Sequence, residues 1–139
     1  MDIRVERTIA ATPEAVAAVM FDPLRDPEWI GGAQCVEPLT SGPLAVGSRV
    51  RRRGGFLGRK FSWVTEVVAF EPDRLVDMRF LEGPMQGSVT YQVRAAPGGA
   101  LASVRNHGGA SFSVPGMAWM LRRSVGKDLD RLAALVTQR

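Results

Sequence analysis

The stretch Pro115–Arg139, PGMAWMLRRSVGKDLDRLAALVTQR, places apolar side chains at Met117, Leu121, Val125, Leu129, Leu132 and Val136. Steps of three and four residues put them on one stripe of an α-helix. Ser113 and Pro115 supply its start signal. At a rise of about 1.5 Å per residue, ~24 residues make a helix ~36 Å long. Residues 33 onward read as strands, so the stripe has a sheet to face, and a long helix laid on a curved sheet encloses a pocket. Gly126 costs roughly 1 kcal/mol relative to alanine in mid-helix. It is a tolerated glycine, a point of close backbone approach, or space left for a ligand.

Strands are expected over 34–40, 47–54, 59–70, 74–82, 86–95 and 101–112, separated by Gly and Pro turns, with Pro97-Gly98-Gly99 the clearest hairpin. Short connections make neighbours antiparallel, and such a sheet buries one face while wetting the other. Side chains alternate between those faces. In 59–70, Ser62 and Glu66 point outward and leave Phe61, Trp63, Thr65 and Val67 inward. In 74–82, Asp77 and Arg79 point outward and leave Val76, Met78 and Phe80 inward. In 86–95 the inward set is Gly87, Val89, Tyr91 and Val93.

Ahead of these strands, Ile3, Val5 and Ile9 alternate with Arg4, Glu6 and Thr8 as a half-buried strand. Thr12 caps a helix that starts at Pro13, with Glu14 at the positive end of the helix dipole and Val16, Val19 and Met20 on its apolar face. It ends by Asp22-Pro23. Pro23, Pro27 and Gly31-Gly32 around Trp29 mark a short turn or second helical piece, with Trp29 plugging one end of the core. Residues 1–139 thus read as one α+β domain. Its expected architecture is a curved, mostly antiparallel seven-stranded sheet wrapped around a long C-terminal helix, with two short helices between the first and second strands.

With 139 residues, 45% of them hydrophobic and 23% charged, the chain can bury a real core. The single cysteine, Cys35, excludes an internal disulfide and a four-thiolate metal site. It is expected as a small buried strand residue in a reducing compartment, the cytoplasm. The opening MDIRVERTIAA alternates instead of joining a cationic start to an apolar run, so no signal peptide is expected. No stretch nears the ~20 apolar residues of a membrane span.

The net charge is +4, yet Arg49, Arg51, Arg52, Arg53, Arg59 and Lys60 crowd residues 49–60 without one acid, leaving the rest of the chain mildly acidic. Such a patch suits nucleic acid or an anionic membrane. It lacks the aromatic interleaving of a stacking platform, and nucleic acid is not an expected partner. Gly54-Gly55-Phe56-Leu57-Gly58-Arg59-Lys60 also lacks the spacing, the following Ser or Thr and the helix of a phosphate loop. Phe56 and Leu57 at the tip of the 51–60 hairpin read as a cavity lid or a peripheral contact with an anionic membrane; an ordinary packed or dimer-contact loop is the plainer reading. Monomer and homodimer are both open.

Five stretches carry a family likeness: Ile9–Val16 (IAATPEAV), Asp22-Pro23 through Pro27-Glu28-Trp29, Gly42–Ser48 (GPLAVGS), Val67–Leu75 (VVAFEPDRL) and Leu129–Leu132 (LDRL). Each is short, but in order and spacing they cover nearly the whole chain. On them the sequence resembles the START-like, polyketide cyclase/dehydrase and lipid-transport superfamily (SRPBCC), whose fold is the helix-grip. The resemblance implies a deep cavity between sheet and last helix, where relatives bind lipids, sterols, polyketides, hormones or other hydrophobic molecules. It supplies no shared catalytic residue, and no metal or cofactor is expected; fold by itself does not give function.

The sheet's inward parity, joined to the sheet-facing side of the helix, selects Trp63, Met78, Phe80, Tyr91, Met117, Met120 and Leu121 as pocket lining, with core filling as the alternative for each. Arg52 shares parity with Val50, Asn106 shares parity with Val104, and Tyr91 carries a hydroxyl. These three are placed to meet a carbonyl, carboxylate or phenol on a mostly apolar ligand. An inward arginine is costly unpaired, so Arg52 needs a ligand or an acidic partner. A bulge near Gly54-Gly55 would instead turn it into water. His107, the single histidine, has the opposite parity to Asn106 and points outward, with no triad or metal cluster evident around it.

Three function classes follow. The first is a binder or carrier of a hydrophobic small molecule, a lipid, polyketide or similar, motivated by an apolar inward set with few ionisable groups. The second is a cyclase/dehydrase-type enzyme in which Arg52, Tyr91 and Asn106 polarise a carbonyl or assist enolisation. The third is a protein-interaction module using the basic hairpin through Arg51, Arg53 and Lys60.

Overall fold

Strand β1 (Asp2–Ile9) buries Ile3, Val5 and Ile9 and exposes Arg4, Glu6 and Thr8, the alternation its sequence carries. The computed structural model describes residues 1–56, 58–110 and 114–137, with Phe56 by its backbone alone. The readings of the Phe56 side chain and Leu57 as a lid, and of Ser113 as a start signal, lie outside the described residues.

After β1 the Thr12 hydroxyl accepts a hydrogen bond from the Ala15 backbone N–H at 3.2 Å and caps α1 (Pro13–Met20). A 3₁₀ turn at Pro23–Arg25 leads into α2 (Asp26–Trp29). Then come β2 (Ala33–Pro38), β3 (Arg49–Phe56), β4 (Arg59–Glu71), β5 (Leu75–Glu82), β6 (Met85–Ala96), β7 (Gly99–Ala110) and α3 (Met117–Thr137). Every pairing is antiparallel and the strand order is β1-β7-β6-β5-β4-β3-β2. The first two strands in sequence are therefore the two edges of the sheet, and α1 and α2 carry the chain from one edge to the other. This is the helix-grip arrangement. Strands β6 and β7 close on Pro97-Gly98, with Ala96 opposite Gly99 and Gly98 at φ 90°, a left-handed conformation suited to so short a hairpin.

Helix α3 packs against β1, α1 and α2. Leu129 and Leu132 are fully buried, each burial contributing about 1.5–3 kcal/mol. At the other end of the helix, Met117 and Leu121 are only half-buried. Gly126 serves close approach. A Cβ there would come 2.7 Å from Arg7 Nη2 and 4.0 Å from Val5 Cγ1, so the glycine admits the β1 side chains across the helix.

The expected inward parity holds along β3 at Val50, Arg52 and Gly54, and along β6 at Val89, Tyr91 and Val93, whereas Gly87 is exposed. The bulge lies in β2, between Ala33 and Cys35 and opposite Gly54 and Arg53. Because β3 itself stays in register, Arg52 remains inward. Cys35 is exposed rather than buried, since β2 is an edge strand and irregular at that point. Among the described residues, no helix is long and apolar enough to cross a membrane.

Candidate functional site

Between the inner face of the sheet and the N-terminal half of α3 lies a cavity of about 180 Å³. Strand alternation sets its walls. Trp63 and Thr65 come from β4, Met78 and Phe80 from β5, Val89 and Tyr91 from β6, and Val104 and Asn106 from β7. Helix α3 closes it with Met117, Leu121, Ser124, Val125 and Asp128, while Trp29 and Ile30 close the α2 end. Trp29 is 1% exposed and meets the Tyr91 ring edge-on, with centroids 5.6 Å apart and planes at 65°. Arg131 Nε donates to the Trp29 carbonyl at 3.0 Å and ties α2 to α3.

The polar groups fall into two kinds. Arg52 is committed to the protein: Nε donates to Asp26 Oδ2 at 2.5 Å and Nη1 to Thr65 Oγ1 at 2.6 Å, and Nη2 lies 4.0 Å from Met78 Sδ. Its side chain is 5% exposed and that of Asp26 1%. Burial pushes the Asp26 carboxyl upward against the pull of Arg52. Burial disfavours the Arg52 charge, but the Asp26 carboxylate outweighs it and holds the guanidinium protonated. Asp26 Oδ1 and Trp29 Nε1 are buried without a hydrogen-bond partner among the described residues.

Tyr91, Asn106 and Asp128 are the other kind. The Tyr91 hydroxyl makes no hydrogen bond among the described residues, and burial raises its pKa well above that of an ordinary phenol. Asp128 Oδ1 accepts from the Gly31 backbone N–H at 3.0 Å and from Arg131 Nη2 at 2.5 Å. Burial lifts its carboxyl above the usual range, and those two donors limit the rise. The cavity therefore offers a neutral hydroxyl, an amide and a carboxyl on mostly apolar walls.

Of the nine side chains expected at a pocket, Arg52, Trp63, Met78, Phe80, Tyr91, Asn106, Met117 and Leu121 line this cavity. Met120 does not. At about 100° per residue it falls about 60° round α3 from Met117, on the flank of the cavity-facing stripe. His107 is exposed, its Nδ1 3.6 Å from Asp2 Oδ2. Sequence reasoning missed Asp26 and Asp128. Asp128 lies on the apolar stripe, eleven residues after Met117, and a charge at such a position was a readable signal. For Asp26 the signal was indirect, the unmet need of an inward Arg52.

The basic run 49–60 is partly neutralised within the chain. Arg49 pairs with Glu66 at 2.9 Å, Arg51 with Glu37 at 3.4 Å and Glu82 at 4.0 Å, and Arg52 with Asp26.

A family model described as "Polyketide cyclase / dehydrase and lipid transport" matches residues 1–137. No curated protein matches the sequence. Among solved structures, the chain is similar to TTHA0849 from Thermus thermophilus at TM-score 0.82 and 17% identity, over 98% of this chain and 97% of that one. It is similar to the Zhui aromatase/cyclase from Streptomyces sp. R1128 at TM-score 0.76 and 18% identity, over 98% and 93% of the two chains. It is also similar to major latex-like protein 151 from Panax ginseng at TM-score 0.78 and 14% identity, over 99% and 98%. At these identities the likeness is one of fold.

Proposed function

Because the chain belongs to the polyketide cyclase/dehydrase and lipid transport family, we propose that it binds a hydrophobic small molecule in the cavity between the sheet and α3. The observation that carries the reading is the cavity itself, apolar over most of its wall and closed by the half-buried Met117 and Leu121. An apolar cavity of about 150 Å³ accommodates a benzene-sized molecule. At about 180 Å³ this one takes one ring or a short chain as it stands. A longer polyketide or lipid requires the first turns of α3 to move outward. Tyr91, Asn106 and Asp128 would orient a ligand's carbonyl or hydroxyl.

The gathering of those three groups in one cavity favours a second reading, an enzyme acting on the bound molecule. Here Tyr91 and Asp128 are the proton-handling groups, burial raising the Asp128 carboxyl against the pull of Gly31 and Arg131. Arg52 takes the role of a positioning residue, since Asp26 and Thr65 already hold its charge.

Native mass spectrometry of protein from its own host, followed by denaturing extraction, tests the first reading. A retained apolar molecule displaced by Leu121→Trp supports it. An empty protein that also takes up no apolar dye refutes it. Turnover of the extracted molecule, lost in Tyr91→Phe or Asp128→Asn while binding is kept, separates the enzyme from the carrier.

A further inference from the structure

A second concave site lies on the outer side of α3, where the helix crosses β1. It is a groove of about 400 Å³ whose wall includes Arg4, Glu6, Arg7, Trp119, Arg122 and Arg123. Met117, Leu121, Ser124 and Asp128 turn one face of α3 to the cavity, and Trp119, Arg122 and Arg123 occupy the opposite face at about 100° per residue. The two sites therefore share a helix but no side chain of it.

Trp119 is 61% exposed, whereas Trp29 is 1% exposed and Trp63 half-buried. The Arg123 guanidinium lies 5.5 Å from the centroid of the Trp119 ring. Arg4 leans toward Glu6 at 3.6 Å, and Arg7 is held by Asp130 at 3.1 Å and by the Glu6 carbonyl at 3.0 Å. Arg122 and Arg123 have no carboxylate partner among the described residues. They follow Trp119 by three and four positions and so flank it on one helix face.

An exposed indole beside two uncompensated guanidiniums has the chemistry to recognise a planar ring joined to an anion. The ring packs on the indole, and the guanidiniums take the anion's oxygens in bidentate fashion. Concavity and volume favour a small molecule over a bilayer, because about 300–1,000 Å³ is usual for small-molecule sites and a membrane needs no hollow. We propose that this groove is a second binding site, independent of the cavity, for a small aromatic phosphate of the nucleotide class.

ADP is the probe, titrated calorimetrically and by tryptophan fluorescence at low ionic strength, where exposed charges are least screened. Saturable one-to-one binding is expected. Removing both charges in Arg122→Gln/Arg123→Gln should weaken it about tenfold or more. Trp119→Ala should weaken it at least about fivefold, the share of a stacked base. Pyrophosphate, which keeps the charge and lacks the ring, should bind more weakly than ADP. These side chains are exposed, so unchanged melting temperatures will show that the variants fold. Undiminished ADP affinity in either variant, or pyrophosphate binding as tightly as ADP, overturns the proposal. Binding to phosphatidylserine vesicles through these residues without binding to ADP overturns it as well and reassigns the surface to a membrane.

Discussion

Replacing Asp26 by alanine should be among the most damaging single changes in this protein. It leaves the Arg52 guanidinium almost fully buried, with Thr65 Oγ1 at 2.6 Å and Met78 Sδ at 4.0 Å as its remaining polar partners among the described residues. Breaking a buried ion pair from one side costs about 3–5 kcal/mol, because the surviving charge has no counter-ion and no water. That is a large part of the roughly 5–15 kcal/mol that holds a domain folded. At this chain length it should lower the melting temperature by roughly 10–17 °C. Arg52→Met alone should also destabilise, but less as the pH falls, since Asp26 can then take up a proton that burial already favours. The paired change Asp26→Leu/Arg52→Met removes both charges and strands the Thr65 hydroxyl, so it should cost about 1–2 kcal/mol. Urea denaturation of Asp26→Leu, Arg52→Met and the paired variant closes the double-mutant cycle. A loss below about 1 kcal/mol in Asp26→Ala, or a double variant as unstable as the sum of the singles, would refute this account of the pair.

Three further outcomes are expected. Thr12→Ala removes the hydroxyl that caps α1 and should cost about 1 kcal/mol in denaturant unfolding, whereas Thr12→Ser should cost little. Gly126→Ala gains about 1 kcal/mol of helix propensity and displaces only the end of the Arg7 side chain, whose exposed pair with Asp130 is worth about 0–1 kcal/mol. The variant should match or exceed the parent in stability, and a loss above about 1 kcal/mol would show that the β1–α3 contact cannot yield. Asp128 has a raised folded-state pKa, so the folded chain holds that proton more tightly than the unfolded one. Its contribution is complete below the unfolded value of about 3.9 and fades as pH rises through the elevated folded value. Stability measured against pH should therefore fall more steeply through that window in the parent than in Asp128→Asn, and the opposite difference would overturn the assignment.

The spacing in 115–139, the strand alternation and the Thr12-Pro13 start signal were enough to fix element order, antiparallel pairing and the inward face of most strands. Each depends on residues close in the chain, through helical or strand periodicity and local capping. Strand parity selected six of the cavity's lining residues and the helix stripe two more, Met117 and Leu121, because facing inward is a property of local periodicity. It erred at Met120, where a helix flank and a helix face differ by a fraction of a turn. It erred again at Cys35, where edge position and a bulge override composition.

Other features were decided only when distant segments met. The sequence showed that an inward Arg52 needs a counter-charge but not that Asp26 supplies it, since that pairing brings the start of α2 beside β3, 26 residues further along the chain. Asp128 is buried only because the turn after α2 packs on α3 and its Gly31 N–H donates to the carboxylate, 97 residues away in the chain. The groove at Trp119 exists because β1 and α3, the two ends of the chain, lie side by side. By itself the sequence determined what each segment forms and which way it faces, since those are local matters of periodicity and backbone sterics. The tertiary structure alone decided which charges are neutralised and which polar groups remain for a ligand, because electrostatic pairing depends on distance in space and desolvation on what packs around it.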